Sequence, residues 1–126
     1  MIGQLERLIN MDIQQRNDEM FNVFLDDVRS GPKNETDEWG ISHSDWNAWV
    51  ICRSIVQVKE LLVKELINDL SLDHDLGENL PTGYDLLCWM ERQDTWPKGM
   101  VIVHSANPIG RQQMESVIRR HYSKEI

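Results

Sequence analysis

Four short apolar runs, each ending abruptly in polar or charged residues, constrain this chain most. Phe21-Asn22-Val23-Phe24-Leu25 runs into Asp26-Asp27, and Trp49-Val50-Ile51-Cys52 into Arg53. Leu70-Ser71-Leu72 leads into Asp73-His74-Asp75, and Met100-Val101-Ile102-Val103 into His104-Ser105-Ala106-Asn107. Short apolar runs of this kind suit strands buried on both faces, as in a parallel sheet. The segments between them change to helical spacing. Residues 55–66 place Ile55, Val58, Leu61, Leu62 and Leu66 on one face. Thr82, with Asp85 three residues on, caps a helix dense in Tyr84, Leu86, Leu87, Trp89 and Met90. Pro108 suits the first turn of a last helix whose inner face carries Gly110, Met114, Val117, Ile118 and His121. Strands alternating with helices predict an α/β fold, a short parallel sheet flanked by helices and closed by right-handed crossovers.

At 126 residues, with no internal repeat or linker, residues 1–126 read as a single domain. Ile2, Leu5, Leu8, Ile9 and Ile13 predict an amphipathic helix over 2–17, packed on the domain's own sheet or, alternatively, forming a homodimer contact. Residues 30–45 carry Gly, Pro, Asn, Ser and charges, a loop long enough to act as a lid, in which Ser42 and Asp45 could cap a short helix through Trp46.

Asp and Glu number 21 against 13 Lys and Arg, a net charge of -8. That balance argues against an extended nucleic-acid surface, which needs basic side chains to neutralise phosphates. It leaves room for a small phosphorylated ligand held by a few arginines. Cys52 and Cys88 sit in apolar surroundings at no zinc-motif spacing, and read as free thiols in a reducing compartment. The N-terminal stretch mixes charges among its apolar residues and fits neither a secretory signal nor a membrane span, so the expected location is cytoplasmic.

In an open parallel sheet, ligands bind beyond the carboxyl ends of the strands. That rule brings the four polar clusters to one rim. Aspartates gathered there repel one another unless a cation lies between them, and oxygen ligands suit magnesium or another hard divalent ion. Asp26, Asp27, Asp73 and Asp75 are the candidate metal ligands. The DHDLG segment lacks the sixth-position glycine and closing glutamate of a calcium loop. His74 and His104 could act as general base and general acid on a phosphoester, or could orient neighbours by hydrogen bonding. Arg29, Arg53 and Arg111 offer guanidinium forks for phosphate, and Ser105, Asn107 and the helix start at Gly110 and Arg111 offer an anion seat. Trp39, Trp46 and Trp49 lie in or beside the loop and could stack on a base, although core packing suits Trp49 better.

These pieces resemble a response-regulator receiver domain: an acidic pair after the first strand (Asp26-Asp27), an aspartate after the third (Asp73), a Ser or Thr after the fourth (Ser105), and a Thr82-Gly83-Tyr84-Asp85 turn. No fifth strand carrying the receiver's lysine follows Ser105; the only later lysine is Lys124. FLDDVR, WVICRS, SLDHDLG, TGYDLLCWM and VHSANPIGRQQM, spanning Phe24 to Met114, are similar to the cyclic-phosphate processing receiver domains. The resemblance implies a receiver-like (flavodoxin-like) fold with a truncated C-terminal half and an additional N-terminal helix. It also implies binding or hydrolysis of a cyclic phosphate on a nucleotide or RNA end. In the hydrolytic reading, Asp73, His74 and His104 are catalytic and Arg29, Arg53, Ser105, Asn107 and Arg111 position the phosphate. The alternatives are a module that binds a phosphorylated ligand or protein without turnover, and an aspartyl-phosphate phosphatase with Asp73 as nucleophile.

Overall fold

The computed structural model describes residues 4–10, 20–27 and 49–123. Its elements are α1 (Gln4–Ile9), β1 (Phe21–Leu25), β2 (Trp49–Cys52), α2 (Ile55–Val63), β3 (Ile67–Leu72), α3 (Gly83–Gln93), β4 (Val101–Val103) and α4 (Pro108–Ser123). The four strands form one parallel sheet in the order β2-β1-β3-β4. The chain moves outward from β1 to β2, then crosses back over β1 to β3. The strand order therefore reverses between β1 and β3, which is where a sheet of this kind opens a crevice at its carboxyl edge.

Side chains alternate across the strands. Val23, Leu25, Val50, Cys52, Leu70, Leu72 and Val103 share one buried cluster with Val58, Leu61 and Leu62 of α2, Leu86, Leu87 and Met90 of α3, and Met114 and Val117 of α4. Truncating one of the fully enclosed members, such as Leu86 or Met90, costs about 2–5 kcal/mol by the usual large-to-small rule. The residues of opposite parity include Phe24, Ser71 and His104, all fully or almost fully buried. Phe24 meets Trp49 edge-on, with ring centroids 6.3 Å apart.

Local chemistry sets the helix ends. Ser54 caps α2 by accepting the Gln57 N–H. Thr82 and Asp85 form a reciprocal capping box at the start of α3, as their spacing predicts. Asp94 closes that helix in the left-handed region at φ 50°. Asn107 caps α4 through Oδ1, which accepts the Gly110 N–H at 3.0 Å, and Pro108 occupies the next position.

Two boundaries differ from the sequence expectation. Helix α2 stops at Val63, and Glu65 turns the chain at φ 58° before buried Leu66. Strand β3 starts at Ile67 rather than Leu70. Asn68 and Asp69 are poor strand formers and hide that start. They are carried in the strand by a bulge: Phe21 pairs with Ile67 but Val23 with Leu70. The Asn22 Oδ1 accepts the Asp69 N–H (3.2 Å) and the Asn68 Nδ2 donor (3.3 Å), satisfying groups that the register shift displaces.

The described part of the N-terminal helix is Gln4–Ile9; residues 2–3 and 11–17 of the expected 2–17 helix lie outside the described residues. Leu8 is fully buried in the main cluster, and Leu5 and Ile9 pack against it, so this helix spends its apolar side on α2 and β2 of its own chain. The expected loop at 30–45, including Trp39, His43 and the Ser42–Asp45 cap, lies outside the described residues, as does Trp46. Among the described residues, no helix is long and apolar enough to cross a membrane.

Candidate metal and phosphate site

Asp26, Asp73 and His104 are each the first residue after a strand: β1, β3 and β4 respectively. Each returns its backbone N–H to the neighbouring strand. Asp26 donates to the Cys52 carbonyl (3.1 Å), Asp73 to Leu25 (3.0 Å) and His104 to Leu72 (2.9 Å). The ladder thus extends one residue past each strand and fixes all three backbones before any side chain acts.

Their side chains converge. One ligand atom from each of Asp26, Asp73 and His104 lies within 4.8 Å of the others, and all three residues are buried. His104 Nε2 is 3.2 Å from Asp26 Oδ2. Its other nitrogen, Nδ1, is 2.7 Å from Ser71 Oγ, and its ring stacks on Phe24 with centroids 4.1 Å apart and planes 6° from parallel. Ser71 lies two residues before Asp73 on β3 and so shares its side of the sheet. The imidazole is held on both nitrogens and one face.

Asp73 and His74 are gripped from both neighbouring helices. The Gly83 N–H donates to the His74 carbonyl at 2.9 Å, and a Cβ at Gly83 would overlap the Asp73 carbonyl oxygen. A Cβ at Gly110 would lie 2.5 Å from Cδ2 and 2.6 Å from Cγ of the His74 ring. The two glycines let the N-terminal turns of α3 and α4 close on the end of β3. The His74 N–H donates to Asp73 Oδ1 (2.8 Å), and its Nδ1 lies 2.9 Å from Asp75 Oδ1. The His74 side chain is 15% exposed and that of Asp75 67% exposed.

The remaining sequence candidates are distributed around this centre. Asp27 is exposed. Arg53 is exposed too, and its Nη1 donates to the Asp26 carbonyl at 3.1 Å, which places a guanidinium against the rim. Ser105 is almost fully buried and its Oγ accepts the Asn107 N–H. The Asn107 side chain is engaged as the cap of α4. Arg111 pairs with Glu115 (3.0 Å) and lines a groove beside β4 with Ile102 and Ile118. The metal set expected from the sequence is thus divided: Asp26 and Asp73 join the cluster, while Asp75 turns to His74 and His104 enters as the third donor. Arg29 lies outside the described residues.

Ser71 and Phe24 are the parts of the site that reading the sequence for charge does not find. The available signal was periodicity: Ser71 is the one polar residue within the Leu70–Leu72 run, two places before an aspartate.

A parallel β2-β1-β3-β4 sheet with flanking helices and an acidic cluster at its switch point is the receiver (flavodoxin-like) architecture. The family model of the cyclic-phosphate processing receiver domain matches residues 21–120, and the chain belongs to that family. No curated protein and no solved structure matches the chain.

Proposed function

We infer that this domain binds a small cyclic phosphate at the Asp26–Asp73 rim with the help of a divalent cation, and hydrolyses it. The observation that carries this reading is the convergence of two buried carboxylates and an imidazole on atoms within 4.8 Å of one another. A positive charge among buried carboxylates this close is stabilising, and two carboxylate oxygens with one imidazole nitrogen fit a divalent ion. The imidazole extends the fitting ions beyond magnesium to manganese and zinc. When bound, such an ion neutralises charge on a phosphate oxygen and polarises phosphorus.

Arg53, whose Nη1 donates to the Asp26 carbonyl, would contact phosphate oxygens at the rim; a guanidinium held beside Asp26 supports that role. His74 suits the proton step. When Nδ1–H donates to Asp75, Nε2 is left as acceptor, the arrangement of an oriented general base. The step adds water oxygen to phosphorus and breaks one ring P–O bond. The water proton passes through His74 to the oxygen that leaves, giving a phosphomonoester. His104 serves as a ligand beside Asp26 and does not touch the substrate.

Incubation of the chain with magnesium or manganese and a panel of small cyclic phosphates, followed by phosphorus NMR, tests this. Ring opening that is lost in Asp73→Asn supports the site; ring opening unchanged by that substitution contradicts it.

The complete burial of His104 removes one of the two imidazoles expected for proton transfer, and so favours a second reading, in which the domain binds a phosphorylated ligand without turnover. An imidazole shut between Ser71, Phe24 and Asp26 cannot protonate a leaving group. This reading expects thermal stabilisation by the cyclic phosphate with no product formed.

A further inference from the structure

We propose that Ser71 is a positioning residue of the cation site: it accepts the Nδ1–H of His104 and so presents the Nε2 lone pair beside Asp26 and Asp73 as the third ligand. This rests on the cation reading given above and extends it to a residue that touches neither ion nor substrate.

His104 Nε2 is 3.2 Å from Asp26 Oδ2. A lone pair on Nε2 facing a carboxylate oxygen at that distance is repulsive, so either a proton or a cation must mediate the contact. Without an ion, Nε2–H donates to Asp26. With an ion on Nε2, that nitrogen carries no proton, and the single proton of the neutral ring sits on Nδ1 instead. That proton needs an acceptor, because the ring is fully buried. Ser71 Oγ is 2.7 Å away and fully buried. A hydroxyl both donates and accepts and turns about its C–O bond, so it suits Nδ1 in either state. An apolar side chain of similar size suits neither.

The rest of the ring's surroundings removes its other freedoms. Stacking on Phe24 fixes the ring plane, and the His104 backbone is tied to Leu72. What remains open is which nitrogen carries the proton, and that is what the outer partner of a metal-bound imidazole decides.

The test uses the full chain and zinc, which is diamagnetic. Long-range nitrogen–proton correlation NMR, with the His104 ring assigned through its backbone, is recorded before and after one equivalent of Zn2+. We expect a proton on Nε2 before zinc, and on Nδ1 alone after it. Calorimetry then compares Zn2+ affinity in Ser71→Ala and Ser71→Thr. The alanine variant is expected to bind about 10–100-fold more weakly, the usual cost of losing an outer-shell partner, and threonine to restore most of that loss. If zinc binds with dependence on Asp26 and Asp73 while Nε2 keeps its proton, the role of Ser71 is overturned and the acidic site stands. Wild-type affinity in Ser71→Ala overturns it equally. If no zinc binds, the cation reading itself fails. Should Ser71→Ala not fold, the wild-type spectra and the threonine variant still decide.

Discussion

His104 Nε2 lies 3.2 Å from Asp26 Oδ2, with both side chains fully buried at the ends of strands that are not neighbours in the sheet. β3 lies between them, so this contact joins the sheet's inner strand β1 to its edge strand β4 across the head of β3. Removing His104 takes a close hydrogen-bond partner away from a buried carboxylate. His104→Ala should therefore destabilise the domain by about 3 kcal/mol or more, read as a lower urea midpoint with an unchanged slope. A loss below about 1 kcal/mol would mean that water reaches Asp26 and that the pair is not closed.

Gly110 and Gly83 test how tightly the helices close on the end of β3. Alanine in an unobstructed helix interior stabilises by up to about 1 kcal/mol relative to glycine. At Gly110 the added Cβ would meet the His74 ring, whose Nδ1 is engaged by Asp75 and whose backbone N–H is tied to the Asp73 carboxylate. Overpacking costs about 1–3 kcal/mol, so Gly110→Ala should destabilise despite its better propensity. At Gly83 the obstacle is the Asp73 backbone carbonyl, which cannot rotate away, and the loss should be larger. Thermal melts of both variants give the order; a stabilised Gly110→Ala would show that His74 is free to move.

Cys52 ends β2 with its side chain in the buried cluster, and burial pushes its thiol from 9.0 up to about 12. A raised value in the folded state means that the thiolate forms more readily in the unfolded chain. The stability attached to this group is complete below pH 9 and is lost as pH rises toward 12. In native protein at pH 8, Cys52 should resist an alkylating reagent and react only once the chain is unfolded in urea, as peptide mass spectrometry can follow. Rapid native labelling of Cys52 would contradict its placement in the core.

Most of the architecture was legible in the sequence because apolar runs and their polar endings report burial directly. The runs at 21–25, 49–52 and 101–103 appear as strands, and Thr82 with Asp85 marks its helix start to the residue. The early part of β3 was not legible, since Asn68 and Asp69 look like turn residues until Asn22 across the bulge supplies their partners. At the site, the gathering of Asp26 and Asp73 followed from the strand-end rule. The entry of His104 in place of Asp75 did not, because it depends on Ser71 and Phe24 holding the ring over β3. Arg111 illustrates the same limit: its place in the first turn of α4 was readable, but its pairing with Glu115 beside β4 was decided by packing.

We propose that Asp26 and Asp73 hold a divalent cation at the sheet's switch point. Titration with Mn2+, followed by electron paramagnetic resonance of the free ion, measures this directly. One ion per chain is expected, with affinity at least about tenfold weaker in both Asp26→Asn and Asp73→Asn, and little change in Asp75→Asn, whose carboxylate is engaged with His74. Manganese bound equally well by the first two variants, or lost in the third alone, would contradict it.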